Sequence, residues 1–171
     1  MQRNVSIIGS FQKYYPDVLK AIHQFQEAGL GIESPRGNYI TGSIDAFVIF
    51  DNDKENYTPE EIEMVTLARI LRSDWVYVYD LDGYVGKTTC AEIGACFVKN
   101  KPMFFLERPK DLPFPVTEQQ IISPTDFVKY VQTHNPTPVA NYGLCAEATQ
   151  AVNQILGKEI QREDSEPEME M

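Results

Sequence analysis

Apolar residues along this chain fall into two rhythms, short continuous runs and stripes at helical spacing. Val5-Ser6-Ile7-Ile8 is a short apolar run that stops at Gly9-Ser10 and reads as a strand. Val18, Ile22 and Phe25 then mark one helix face, with Pro16 in its first turn and Gly29 and Gly31 as stop signals. Gly31-Ile32-Glu33-Ser34-Pro35 reads as a second strand closed by a breaker, and residues 36 to 46 as loop. Phe47-Val48-Ile49-Phe50 suits a short strand or a buried loop edge. Thr58-Pro59-Glu60-Glu61 is a helix start with a Thr cap, Pro at the first helical position and Glu three residues after the cap; this helix runs to about Arg72. Trp75-Val76-Tyr77-Val78-Tyr79 has the unbroken apolar character of a buried parallel strand. Asp80 to Lys87 is a glycine-containing loop, and Thr88 or Thr89 opens a helix that reaches about Lys99. Met103 to Leu106 is another buried strand, followed by a loop with Pro109, Pro113 and Pro115. Ile121-Ile122 reads as the last strand, and helices over Pro124–Gln132 and Ala140–Leu156 close the chain.

Strands that alternate with helices imply an α/β fold, a parallel sheet covered on both faces. The expectation is a three-layer sandwich around a central, mainly parallel five-stranded sheet. Ligands of such sheets sit beyond the carboxyl ends of the strands. That rule selects the loops Gly9 to Lys13, Pro35 to Tyr39, Asp80 to Thr89 and Glu107 to Pro115.

The 171 residues suit one domain, read as 1 to 157, and 43% of them are hydrophobic. The net charge of −10 argues against polymeric nucleic acid, which needs clustered Lys and Arg, but leaves a small nucleotide open. Residues 158 to 171 hold six acids and two bases, a charge of −4 that leaves −6 on the body, and read as an acidic, disordered tail. Cys90, Cys96 and Cys145 form neither a disulfide framework nor a CxxC pair, and His23 and His134 lie far apart, so a zinc site is not expected. With no apolar leader and no apolar run of 18 residues, the expectation is a cytoplasmic protein with no membrane partner.

Asp80 to Glu92 is the densest chemical signal. It joins acids, glycines, a lysine and two threonines to a helix N-terminus, where glycine lets a ligand approach the backbone and free N–H groups favour negative charge. Gly86-Lys87-Thr88 suggests a P-loop, but the earlier glycine that motif requires falls on Leu81, and Gly83 is too near. Thr89-Cys90-Ala91-Glu92 has the spacing of a capping box, which would give Glu92 a purely structural task. Glu92 also falls where a ligand should bind, with Asp80 and Asp82 just above it. Two such carboxyls can divide the work of nucleophile and acid.

These segments resemble the nucleoside 2-deoxyribosyltransferase family. The resemblance covers roughly residues 5 to 107. It rests on Ile8-Gly9-Ser10-Phe11, Gly29 to Pro35, Ser73 to Val78, Asn100-Lys101-Pro102 and, most specifically, Asp82-Gly83-Tyr84-Val85-Gly86-Lys87-Thr88-Thr89 with Glu92-Ile93-Gly94-Ala95. It implies a flavodoxin-like fold and N-glycosidic bond cleavage, with Glu92 attacking the anomeric carbon of a 2-deoxynucleoside and Asp80 or Asp82 as acid or sugar-hydroxyl ligand. It further implies a small nucleoside or nucleotide as partner, no metal or organic cofactor, and a homo-oligomer in which a neighbour sometimes completes the site. Gly9, Ser10, Phe11, Tyr14, Gly83, Tyr84, Gly86, Lys87, Thr88 and Thr89 are the matching substrate-binding candidates.

The chain departs from the family at Ala95, where Tyr is usual, and at Thr66, which stands where the transferases carry Asp on the preceding helix; Glu63 lies one turn away. A related branch hydrolyses deoxynucleoside 5′-monophosphates, and Ser10, Gln12, Lys13, Arg36 and Lys87 are the phosphate ligands that branch would use here. A non-catalytic nucleotide sensor is the third reading. Tyr14 and Tyr15 are placed either to orient Glu92 or to pack at the helix entry, and Phe11 either to stack on a base or to staple the helix.

Overall fold

The computed structural model describes residues 1–36, 40–44, 47–50 and 57–158, with 40–44 and 47–50 as backbone only. The tip of the Pro35 to Tyr39 loop and all but the first residue of the acidic tail lie outside the described residues.

Six strands and five α-helices occur among the described residues: β1 Asn4–Gly9, α1 Phe11–Glu27, β2 Gly31–Ser34, β3 Ile40–Ile44, β4 Phe47–Phe50, α2 Pro59–Arg72, β5 Trp75–Tyr79, α3 Lys87–Val98, β6 Met103–Phe105, α4 Pro124–Thr133 and α5 Ala146–Ile155. The main sheet has four strands in the order β2-β1-β5-β6, and all of its pairings are parallel. The expected fifth strand is reduced to one parallel bridge between Phe105 and Ile121. A 3-10 turn over Glu118–Gln120 and the Ser123 cap of α4 leave only two residues between them, too few for a ladder. Part of the expected 36 to 46 loop is instead β3, which pairs antiparallel with β4 as a separate hairpin.

Strand alternation sends side chains to two faces. Val5, Ile7, Trp75, Tyr77 and Phe104 meet Val18, Ile22 and Phe25 of α1 and Phe127 and Val131 of α4. Ile8, Val76, Val78, Met103 and Phe105 meet Ile70 of α2 and Ile93, Cys96 and Phe97 of α3, with Val152 of α5 packed outside them. The result is three layers, with α1 and α4 on one side and α2, α3 and α5 on the other. The first core is aromatic: Phe127 lies 5.1 Å from both Phe25 and Tyr77 and 5.4 Å from Phe104, ring centre to ring centre.

Local chemistry explains several boundaries. Thr58 and Glu61 form the expected capping box at α2. Gly29 (φ +86) ends α1, with Gly29 N–H donating to Gln26 and Leu30 N–H to Phe25, the Schellman arrangement. α1 begins at Phe11, ahead of the expected Pro16 turn, and kinks at Tyr14 (φ −127, ψ 20). Proline has no N–H and crowds the residues before it, so Pro16 separates a first turn from the rest of the helix. α5 starts at Ala146, six residues later than the expected Ala140, and buries no side chain completely.

Phe127 is fully buried against three rings, so its truncation opens a cavity among them. Phe127→Ala should lower unfolding free energy by about 3–5 kcal/mol in urea titration, while Thr58→Ala should cost about 1 kcal/mol. Equal losses from the two changes would contradict this packing.

Candidate functional site

The sheet changes direction between its central strands. The chain runs from β1 outward to β2 and later returns to the other side of β1 as β5. A crevice opens at the carboxyl ends of the two strands at such a point. Gly9 and Tyr79 are register partners there, and a Cβ on Gly9 would stand 2.6 Å from the Tyr79 carbonyl oxygen. Only glycine permits this approach. α1 and the loop before α3 both leave from these strand ends, which brings Ser10, Phe11 and Tyr14 beside the loop from Asp80 to Gly86.

α3 begins one or two residues earlier than the sequence suggests. Gly86 is its N-cap in an extended conformation, and Cys90 N–H donates to the Gly86 carbonyl at 2.8 Å. Glu92 therefore lies in the second turn, past the position a capping box requires, and the Thr89–Glu92 box is not formed. This corrects both the expected helix start and the structural reading of Glu92. No side chain caps α3 at Gly86 or α1 at Ser10, whereas Thr58 and Ser123 cap α2 and α4. The N-termini of α1 and α3 thus start without a side-chain bond from their own N-cap residues.

Glu92 is buried, with 7% of its surface exposed, next to buried Thr89 and Ile93. Burial holds its carboxyl well above the usual range, and the nearby charge of Glu63 on α2 pushes it further. Glu63 is itself half-buried, and burial raises it to about 7. The charge of Glu63 on α2 thus acts on Glu92 on α3. Glu63 enters the sequence only as a neighbour of Thr66. Its signal is an acid on the inward stripe Ile62, Thr66 and Ile70 of an amphipathic helix. Cys96, one turn beyond Glu92, is buried, and burial with the Glu92 charge raises its thiol to about 12, which keeps it protonated and inert.

Asp80 and Asp82 take other positions. Asp80 is fully buried at the end of β5. One of its oxygens accepts the Glu107 N–H at 3.0 Å, and the other has no hydrogen-bond partner. Burial raises Asp80 to about 7. Its bond to Glu107, together with Lys110 N–H donating to the Gly83 carbonyl at 2.9 Å, ties the proline-rich loop to the loop before α3. Asp82 is exposed with φ +59, and Gly83 is buried with φ +73 against the Arg108 carbonyl. Neither aspartate is the charge that perturbs Glu92.

Among the remaining candidates, Lys87 is exposed as the first residue of α3, Thr88 is half-buried and Thr89 buried. Tyr14 is buried in the α1 core with its hydroxyl unpartnered. Tyr84 is 44% exposed, and Lys13 Nζ lies 4.4 Å from the centre of its ring and 5.1 Å from that of Tyr14. Arg36 is engaged with Glu33, which also binds Arg72. A cavity of about 370 Å³ borders Tyr57, Glu60, Glu61, Met64 and Val65; neither Glu63 nor Glu92 lines it. Among the described residues no group of three His, Cys, Asp or Glu is arranged to hold a metal ion, and no helix is long and apolar enough to cross a membrane.

The arrangement is that of a three-layer α/β protein with a buried carboxyl, Glu92, in the second turn of α3 and a half-buried one, Glu63, on α2. Comparison with protein-family models, curated proteins and solved structures gave no match to this chain.

The raised carboxyls set a sign for the pH dependence of stability. The unfolded chain releases these protons at about pH 4.3, whereas the folded chain holds the Glu63 proton to about 7 and the Glu92 proton well above the ordinary carboxyl range. Their contribution is therefore full below the unfolded value and lost as pH rises through the folded values. Glu92→Gln carries no proton to lose, so its urea midpoint should fall less than that of the parent between pH 5 and pH 8. Identical slopes for parent and variant would refute the buried-carboxyl assignment.

Proposed function

We propose that this chain is a flavodoxin-like domain that cleaves, or transfers across, the N-glycosidic bond of a deoxynucleoside or deoxynucleotide, with Glu92 as the nucleophilic carboxylate. Counting the Ile121 bridge as a vestigial strand gives the main sheet the flavodoxin-like order 2-1-3-4-5. The observation that carries the functional reading is buried Glu92 in the second turn of α3, the helix that follows β5, with the charge of Glu63 on α2 acting on it.

Two interacting carboxyls hold their protons jointly. In the empty site burial favours the proton on Glu92. A sugar that develops positive charge at its anomeric carbon favours the ionised form instead, because an opposite charge nearby lowers a carboxyl pKa. The proton then resides on Glu63, the partner poised to donate near neutral pH. Glu92 forms a bond to the anomeric carbon as the bond to the base breaks. The electron pair of that bond leaves with the base, which takes a proton from Glu63. Water or a second base then releases the sugar, with Glu63 as base for that step. Asp82, exposed at the mouth, suits a sugar hydroxyl, and Asp80 holds the two loops in register.

A 5′-monophosphate hydrolase is the second reading. Lys13 and Lys87, exposed in the first turns of α1 and α3, favour it, since ammonium groups at a helix N-terminus are what a phosphate requires.

Free base released from a panel of deoxynucleosides and their monophosphates, with and without an acceptor base, separates the readings. Base exchange that needs an acceptor supports transfer, release from monophosphates alone supports hydrolysis, and binding without turnover supports a sensing domain. Glu92→Gln should reduce turnover by about 10³-fold or more, and Glu63→Gln by about 10²- to 10⁴-fold with loss of one limb of the pH profile. Full activity in Glu92→Gln would sink the nucleophile assignment.

A further inference from the structure

Lys13 and Tyr84 meet across the mouth of the crevice, one from the first turn of α1 and the other from the loop before α3. The Tyr84 backbone is fixed. Gly83 N–H donates to the Asp80 carbonyl at 2.7 Å, Tyr84 N–H to Leu81 at 3.2 Å, and Lys110 N–H to Gly83 at 2.9 Å. The ring is therefore presented on a rigid loop, with its hydroxyl 3.7 Å from where a Cβ on Gly86 would stand, over the start of α3. Lys13 is the mobile member, an exposed side chain on a flexible stem. Its ammonium lies between two rings, at 4.4 Å from Tyr84 and 5.1 Å from Tyr14. An exposed cation–π contact is weak, and Tyr14 offers the ammonium a second resting place.

We propose that Lys13 and Tyr84 form a gate: the Lys13 ammonium rests on the ring face that the planar base of a substrate takes over, and the base stacks on Tyr84 once Lys13 has moved toward Tyr14. The gate rests on the nucleoside reading of the site and names the residue that holds the base. Stacking is tolerant of base identity, because every base has a π-face. Tyr84 thus supplies affinity for the ring system and little choice among bases.

Lysine amines labelled by ¹³C-dimethylation keep their charge and report ring proximity by NMR. The Lys13 signal, identified by its absence in Lys13→Arg, should lie upfield in the free protein and change position in Tyr84→Leu, where only the Tyr14 ring remains beside it. Titration with 2′-deoxyadenosine, which has no phosphate for Lys13 to meet, should move it saturably in the unsubstituted protein. In steady-state assays Tyr84→Leu should raise KM about threefold to tenfold, and Lys13→Ala should lower it about twofold to fivefold, because the competitor for the ring is gone. Both variants raising KM would overturn the gate. So would a Lys13 signal that is not upfield, or one that stays put while the nucleoside is turned over; in that last case the catalytic reading stands. A signal that moves without any turnover supports the gate and removes the catalytic reading. A signal that does not move, with no turnover, removes both.

Discussion

Val5 to Gly9 pairs in parallel with Trp75 to Tyr79, joining two segments that are remote in sequence into the centre of the sheet. Both strands have neighbours on either side, so their inner residues are sealed by helices above and below. The pairing closes at Gly9 and Tyr79 with no room for a Cβ. From that closure α1 and the loop before α3 must diverge, and the divergence is the crevice. The positions of Ser10, Lys13, Tyr84 and Glu92 all follow from it.

The protein treats its buried acids in two ways. At Glu33 burial raises the carboxyl, but Arg72 and Arg36 outweigh burial and hold it below the usual range. That acid is a structural anion tying β2 to the end of α2. Glu92 and Glu63 receive no such arginine, and each is pushed toward its neutral form. A carboxyl pair held near neutrality can exchange a proton at modest cost, whereas one locked by arginine cannot. Asp80 is likewise raised by burial while its bond from a backbone N–H fastens a loop, and Asp82 is exposed.

Much of the fold was legible because local rules and tertiary demand agree. The strand Trp75–Tyr79 and the capped helix from Pro59 appear where their patterns place them. Disagreements arose where a longer-range contact overrode a local signal. Thr89 and Glu92 have capping-box spacing, yet the extended Val85-Gly86 segment starts α3 earlier and leaves Glu92 free of that task. Ile121-Ile122 is apolar enough for a strand but too confined by its neighbours to form one. Residues 40–44 carry no clean alternation, and only pairing with β4 makes them a strand.

The sequence by itself determined the α/β alternation and the buried central strands, and it marked the segment from Asp80 to Glu92 as the densest in acids, glycines and hydroxyls. Those signals are local: periodicity, glycine placement and the mix of acids near a helix start. The tertiary structure alone decided which acid faces Glu92. Spacing pointed to Asp80 and Asp82, twelve and ten residues away, because neighbours in sequence are what spacing can see. The acid whose charge acts on Glu92 is Glu63, carried on a different helix that packs on the same face of the sheet as α3. Proximity between helices depends on layer order and sheet register, and no local pattern encodes it.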